Sequence, residues 1–314
     1  MIKTLFGLTS PKGPKARLTV LIFHRVLPAP DALFPSEVDA RRFDEICGWL
    51  KGWFNVLPLD KAVAHLQRGT LPARSACITF DDGYADNHHV ALPILRRHGL
   101  TSTFFIATSF LDGGRMWNDT IVESIRACDA RALDLSSLDL GNHPLDTIEN
   151  RRAAIFALIK QIKYRTVAER VTVTDQLARL ARVRPPQDLM MSSQQVKAMH
   201  SAGMQIGAHT VSHPILARLT NEQAREEIQR SKSFLEKLLD ERVSLFAYPN
   251  GKPGEDYTQQ SVDVVRSLGF DAAVSTRWGA SGMGDDLFQI RRFTAWDKSR
   301  LRFGARMLAN ARTR

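Results

Sequence analysis

The chain is predicted to be an α/β protein assembled from βα units around a parallel sheet. Seven short runs rich in β-branched and aromatic residues recur along the 314 residues. The segments between most of them leave room for a helix, and several carry an amphipathic pattern. Strands that alternate with helices favour parallel pairing. The runs are Leu18–Phe23, Ala76–Phe80, Ser102–Ala107, Met204–Ala208, Val243–Ala247, Asp271–Ser275 and Phe288–Arg292. Amphipathic segments at Phe43–Trp49, Ala91–His98 and Asn221–Leu239 fall between them. The last opens with Thr220-x-x-Gln223, a capping-box pattern.

One stretch departs from this rhythm. Residues 115–186 contain no convincing strand, while Ile155, Leu158, Ile159 and Ile162 follow the i, i+3, i+4, i+7 stripe of a helix. A helical insertion ending at Pro185-Pro186 is expected, acting as a cap over one end of the sheet; a buttressing subdomain is the alternative. The segment 298–314 mixes arginine with Leu301, Phe303, Met307 and Leu308, which predicts a basic final helix, either solvated or lying on a membrane surface. Residues 1–314 are read as a single barrel domain carrying this insertion, since single α/β barrels reach this length.

Composition narrows the function classes. At 44% hydrophobic and 24% charged residues the chain is globular rather than disordered, collagen-like or coiled-coil. Its apolar runs fall well short of the ~20 residues that span a bilayer. The N-terminus lacks a long apolar segment and a small-residue cleavage site, so an unprocessed, cytoplasmic protein is expected. Cys47, Cys77 and Cys128 are far apart and without C-x-x-C spacing, which implies neither a disulfide framework nor a zinc ribbon. A net charge of +10 suits an anionic membrane surface, an acidic saccharide or nucleic acid. No nucleic-acid recognition motif accompanies it, and no nucleic-acid partner is expected.

Four segments at predicted strand ends carry reactive side chains, and parallel barrels place their sites there. In Thr79-Phe80-Asp81-Asp82-Gly83 two adjacent carboxylates precede a glycine turn. Burying both needs a cation, a metal or a proton as compensation. In His209-Thr210-Val211-Ser212-His213 two histidines at i and i+4 are expected on one face of a helical turn, the spacing that grips one metal ion. One carboxylate with two imidazoles forms a metal triad with open positions, and the other carboxylate is then free to accept a proton from water. Tyr248-Pro249-Asn250-Gly251 forms a tight turn whose Asn250 N–H is a candidate oxyanion donor. His24 ends the first run in Leu21-Ile22-Phe23-His24.

Taken in order, Thr79–Gly83, His209–His213 and Phe246–Gly251 resemble the polysaccharide deacetylases of carbohydrate esterase family four, with the similarity running from about Leu18 to Arg292. The resemblance implies a distorted (β/α)7 barrel and a divalent metal, zinc foremost with cobalt or nickel as alternatives. It also implies hydrolysis of acetyl groups, N-acetyl first, from a saccharide. It assigns Asp81 as base, Asp82, His209 and His213 as metal ligands, and the Asn250 amide to the oxyanion hole. Two departures stand out. Many members carry an arginine that orients the base where this chain has Ala247, so Arg291 or Arg292 is expected to supply that charge. Many members draw an acid from a C-terminal histidine, whereas no histidine follows His213.

His24 replaces that acid in this reading, since its setting is similar to the N-terminal histidine segment of exopolysaccharide deacetylases. Trp117, Asn118 and Tyr248 are candidate sugar contacts. His65, His88, His89, His98, His143 and His200 read as surface or capping residues. An esterase or cyclic amide hydrolase of the same fold, and a silent saccharide-binding protein, are the rivals. With no export signal visible, a lipid-linked or oligosaccharide intermediate at the inner membrane face is the expected substrate, and the net charge of +10 suits peripheral contact with anionic lipid there.

Overall fold

The computed structural model describes residues 2–313. Six of the predicted strands form where expected and the seventh begins later: β1 Arg17–Phe23, β2 Ser75–Phe80, β3 Thr103–Ile106, β4 Gln205–Ala208, β5 Leu245–Ala247, β6 Ala272–Val274 and β7 Arg292–Thr294. Their spatial order is β7-β1-β2-β3-β4-β5-β6, with every neighbour parallel. A parallel bridge between Val274 and Ile290 brings β6 to the segment entering β7, so the sheet closes almost completely. This is the distorted (β/α)7 barrel that the resemblance implied.

Its helices are α1 Ile2–Thr9, α2 Ala40–Trp53, α3 Leu59–Gln67, α4 Leu92–His98, α5 Trp117–Ala127, α6 Ile148–Ile162, α7 Val167–Leu180, α8 Ser193–Ser201, α9 Asn221–Leu239, α10 Gln259–Ser267 and α11 Arg300–Arg312. Strands buried on both faces need apolar side chains at every position, which is why the runs are continuous rather than alternating. Val20, Cys77, Phe105, Ala247 and Val274 fill the barrel interior, which α3 closes at the amino ends of the strands. Leu21, Ile78, Phe104 and Phe246 face outward and pack under α2, α4 and α9. The Thr220–Gln223 capping box starts α9 as read from sequence.

Two features differ from the sequence reading. The last strand was expected at Phe288–Arg292. Instead Asp286 accepts from the Phe288 amide and holds Leu287–Gln289 in a 3-10 turn, so β7 begins at Arg292. The insertion is not free of strands, since Ala132–Asp134 and Asn142–Pro144 pair as an antiparallel ribbon. Both are three residues long, mostly exposed and of mixed polarity, so they leave no periodic signal. The rest of the insertion is helical and has its own core, in which Ile155, Leu158 and Ile162 of α6 meet Ile121 and Ile125 of α5 and Leu177 of α7. Its two ends are tied together where predicted: Arg115 donates to the carbonyls of Pro185 and Pro186.

The final helix forms with Ser299 as its N-cap, and Arg314 lies outside the described residues. Its apolar face is already covered: Phe303 and Met307 are buried, and Phe303 lies against Trp49, Trp53 and Phe293. The membrane-surface reading of this helix therefore loses the face it needed, with Leu301 alone left well exposed. Among the described residues no helix is long and apolar enough to cross a membrane. Deleting a buried aromatic ring costs about 3–5 kcal/mol. Phe303→Ala is accordingly expected to lower unfolding stability by that amount in urea titration, and a change under about 1 kcal/mol would contradict this packing.

Candidate active site

The four reactive segments meet at the carboxyl ends of the strands. Asp81 follows β2 directly, and its amide bonds to the Phe23 carbonyl of β1. Consecutive residues of an extended strand point to opposite faces, so both carboxylates share a site only if the chain turns between them. It does: Asp82 adopts φ 76° and Gly83 φ 93°. A Cβ on Gly83 would come within 3.3 Å of the Ile106 side chain, so glycine is required there by both conformation and space.

His209 and His213 are not on a helical turn, contrary to the sequence reading. They lie on a loop after β4 that places Thr210 at φ 67° and His213 at φ 51°. A positive φ at a β-branched residue is costly and needs support. Glu227 of α9 supplies it by accepting from the amides of Val211 and Ser212 at 2.9 Å and from the Ser212 hydroxyl at 2.7 Å. The two imidazoles still converge, with ring centres 4.9 Å apart.

Arg292, of the two neighbouring arginines, is the one that faces Asp81. It is 1% exposed and bonds both Asp81 carboxylate oxygens at 2.7 Å, with Nε on the Ser275 carbonyl. Arg291, the other candidate, points elsewhere, to Asp285 and the Ala280 carbonyl. Because β7 pairs with β1 at Val20, Arg292 enters below the rim and its long side chain rises through the interior to Asp81. Burial pushes the Asp81 carboxyl up, but Arg292, His209 and His24 together hold it below its usual value.

His24 is exposed at the rim, and its charge lowers both Asp81 and Asp82. Its segment is pinned from the β2–α4 connection. The Asn87 amide donates to the His24 carbonyl, while Asp86 takes the Val26 amide and the Arg25 guanidinium. Asn250 has φ 58° after β5, and its N–H has no partner among the described residues. Tyr248 is fully buried, stacks on Tyr257 at 3.9 Å and donates to the Phe288 carbonyl. It is a core residue, so the expectation that it contacts substrate is corrected.

Trp117 lies half-buried at the start of α5, beneath the Arg170 guanidinium and beside Ser212 in a small cavity. Asn118 is half-buried next to it. The remaining histidines make local contacts, such as His98 with Asp44 and His143 with the Leu140 carbonyl.

Sequence reasoning missed the residues that join the insertion to the site. Tyr84, just past the aspartate pair, donates to Asp119 of α5 at 3.1 Å and packs under Arg25. Asp119 is 6% exposed with one carboxylate oxygen unpartnered. Burial, reinforced by the Asp82 charge, pushes its pKa up to about 7. A lone aspartate in an amphipathic helix carries no signal in sequence, since only the fold brings it to Tyr84.

Whether Asp82, His209 and His213 suit a metal is tested by their own contacts. Asp82 Oδ1 is buried without a hydrogen-bond partner, and it lies 3.4 Å from His209 Nε2 and 3.5 Å from His213 Nε2. Ligands about 2.0–2.2 Å from a tetrahedral ion lie about 3.4 Å from one another. The other His209 nitrogen, Nδ1, is 2.7 Å from the Ala247 carbonyl, which fixes the tautomer so that Nε2 presents its lone pair. The cluster fits a divalent cation and keeps positions open.

The barrel thus sets an arginine-held carboxylate beside a two-histidine, one-aspartate cluster at one rim. A family model described as polysaccharide deacetylase matches residues 68–273, and the chain belongs to that family. The chain is similar to YxkH of Bacillus subtilis (strain 168), 19% identical over 279 residues, which cover 88% of this chain and 71% of that protein. In fold it is similar to the Streptococcus pyogenes deacetylase PplD in complex with acetate, at a TM-score of 0.63 and 18% identity. That match covers 94% of this chain and 98% of PplD. IcaB from Ammonifex degensii matches at 0.60 and 18% identity, covering 97% of this chain and 99% of IcaB.

Two outcomes follow. Removing one partner of a buried ion pair leaves the other uncompensated and costs about 3–5 kcal/mol. Asp81→Asn and Arg292→Met should each lose stability on that scale, and the double variant should lose less than the sum; an additive double-mutant cycle would contradict the coupling. Asp119 binds its proton more tightly folded than unfolded. Its contribution is therefore fully present below pH 3.8 and lost as pH rises through about 7. Between pH 5 and 8 wild type should lose on the order of 2–4 kcal/mol more stability than Asp119→Asn, and parallel pH curves would refute it.

Proposed function

We propose that this chain is a divalent-metal-dependent hydrolase that removes acetyl groups, N-acetyl first, from a saccharide. The observation that carries this reading is the pairing of Arg292 with Asp81 beside the Asp82, His209 and His213 cluster. It keeps one carboxylate ionised and aimed while the other is left for the cation. A divalent ion held by Asp82, His209 and His213 supplies Lewis-acid polarisation and lowers the pKa of water.

Asp81 takes the proton of the attacking water, with Arg292 fixing its plane through two hydrogen bonds. The unpartnered Asn250 N–H donates to the oxygen of the tetrahedral intermediate. His24, exposed at the rim, gives its proton to the departing sugar nitrogen. An amine leaves poorly without protonation, whereas an alcohol needs less help, so dependence on His24 separates amide from ester hydrolysis. Arg292 supplies from β7 the charge that is absent at Ala247, which weighs against one of the two grounds for a silent binder, the other being the absent C-terminal histidine.

The test is acetate release from N- and O-acetylated oligosaccharides by protein reconstituted with zinc, cobalt or nickel. Release should depend on the metal and fall by about 10²-fold or more in Asp81→Asn. In His24→Ala, amide substrates should lose more rate than ester substrates. Undiminished turnover in Asp81→Asn would overturn the assignment.

A further inference from the structure

A groove of about 660 Å³ runs between the start of α7 and the loop that carries His213. Tyr164, Arg165, Arg170, Val211, Ser212 and Arg218 line it, so one wall belongs to the insertion and the other to the loop after β4. Arg170 also lines a second cavity of about 250 Å³ with Trp117. It therefore stands where the two meet, as does Ser212, the residue that precedes His213.

Arg170 is unusual because it is 4% exposed and has no anion. Its guanidinium makes no hydrogen bond and no ion pair among the described residues, and its buried Nε is unpartnered. The Trp117 ring 5.3 Å away is its one favourable contact of that kind. A buried charge without a partner is costly and is ordinarily found where a ligand supplies the counter-charge. The groove around it has the same sign. Lys163, Arg165 and Arg218 also line it and make no ion pair within 4 Å among the described residues, whereas Glu226 is taken by Arg230 and Glu227 by the loop amides. Tyr164 lies 59% exposed on this wall, flanked by Lys163 and Arg218, as a flat face for a sugar ring.

We propose that this groove is a subsite for an anionic saccharide, in which Arg170 pairs with a carboxylate or phosphate of the sugar chain while Tyr164 stacks on a ring. The inference deepens the deacetylase reading and rests on it for the identity of the ligand as an acetylated saccharide. It names the substrate class as acidic. A planar guanidinium binds either oxyanion through two parallel hydrogen bonds, so geometry favours neither source over the other.

The test measures dissociation constants for three probes: neutral N-acetylchitotetraose, a tetrasaccharide alternating N-acetylglucosamine with glucuronate, and N-acetylglucosamine 1-phosphate. The zinc-loaded full chain carries Asp81→Asn throughout, so that turnover is blocked and the effect of freeing Arg292 is common to every comparison. At least one acidic probe should bind about 10-fold or more tighter than the neutral one, and which of them does so tells carboxylate from phosphate. Arg170→Gln should abolish that preference, Arg170→Lys should keep part of it, and Tm should stay level or rise as an unpaired buried charge is removed. Equal affinity for acidic and neutral probes, a preference that survives Arg170→Gln, or no binding at all overturns the proposal. Acetate release by the wild-type chain is followed separately. Its absence alongside an intact acidic preference would sink the deacetylase reading and leave the subsite standing, and the converse would do the reverse.

Discussion

The buried pair of Asp81 and Arg292 is the constraint on which the site depends. Two adjacent carboxylates below 10% exposure cannot both stay ionised without two sources of positive charge. Arg292 provides one and commits nearly all of its donors, to Asp81, Thr79 and the Ser275 carbonyl. Asp82 is then left with an orphaned oxygen that faces two imidazoles. The pair also links the site to the closure of the barrel. Arg292 reaches Asp81 because β7 pairs with β1 at Val20, and β7 begins late because the 3-10 turn at Leu287–Gln289 delays it. Had the strand begun at Phe288, the same residue would stand at its far end, not at its entry.

A second regularity organises the rim. Asp82, Thr210, His213 and Asn250 all take positive φ, each within five residues of a strand end. In a parallel barrel the strands deliver side chains in alternation, inward and outward, so consecutive functional residues converge only where the backbone reverses sharply. Each reversal is braced: Gly83 follows Asp82, Glu227 holds the amides beyond Thr210, and the Thr276 hydroxyl donates to the Asn250 carbonyl. The last two braces come from other elements of the fold, so there local strain is held by tertiary contacts.

This explains what was legible in the sequence. The strands were, because burial on both faces demands continuous apolar runs, and so were the three motifs, because each sits in one strand-end turn. The pairing of the histidines was read correctly but for the wrong reason: the spacing suggested a helical turn, while the convergence comes from two left-handed residues in a loop. Tyr248 was misread because a tyrosine in a turn looks accessible, and its stacking on Tyr257 is visible only in three dimensions. Arg292 could be narrowed only to one of two neighbours, since the choice turns on where β7 starts. Asp119 and Arg170 lie in amphipathic helices where a single charge is unremarkable, and burial alone makes them informative.

The arrangement sets a limit on the chemistry it can perform. A carboxylate held below its usual pKa is a weak base, and proton uptake by Asp81 would leave Arg292 buried without its counter-charge. In the proposed reaction Asp81 can therefore hold a proton only briefly, which favours a concerted transfer in which negative charge builds on the substrate oxygen as it leaves the base. The groove beside the loop that carries His213 is positive, and its Arg170 has no anion among the described residues, so an anionic sugar bound there adds the charge that Arg170 lacks, while Arg292 is already matched by Asp81. The two buried arginines thus differ in kind, one matched within the chain and one without an anion among the described residues.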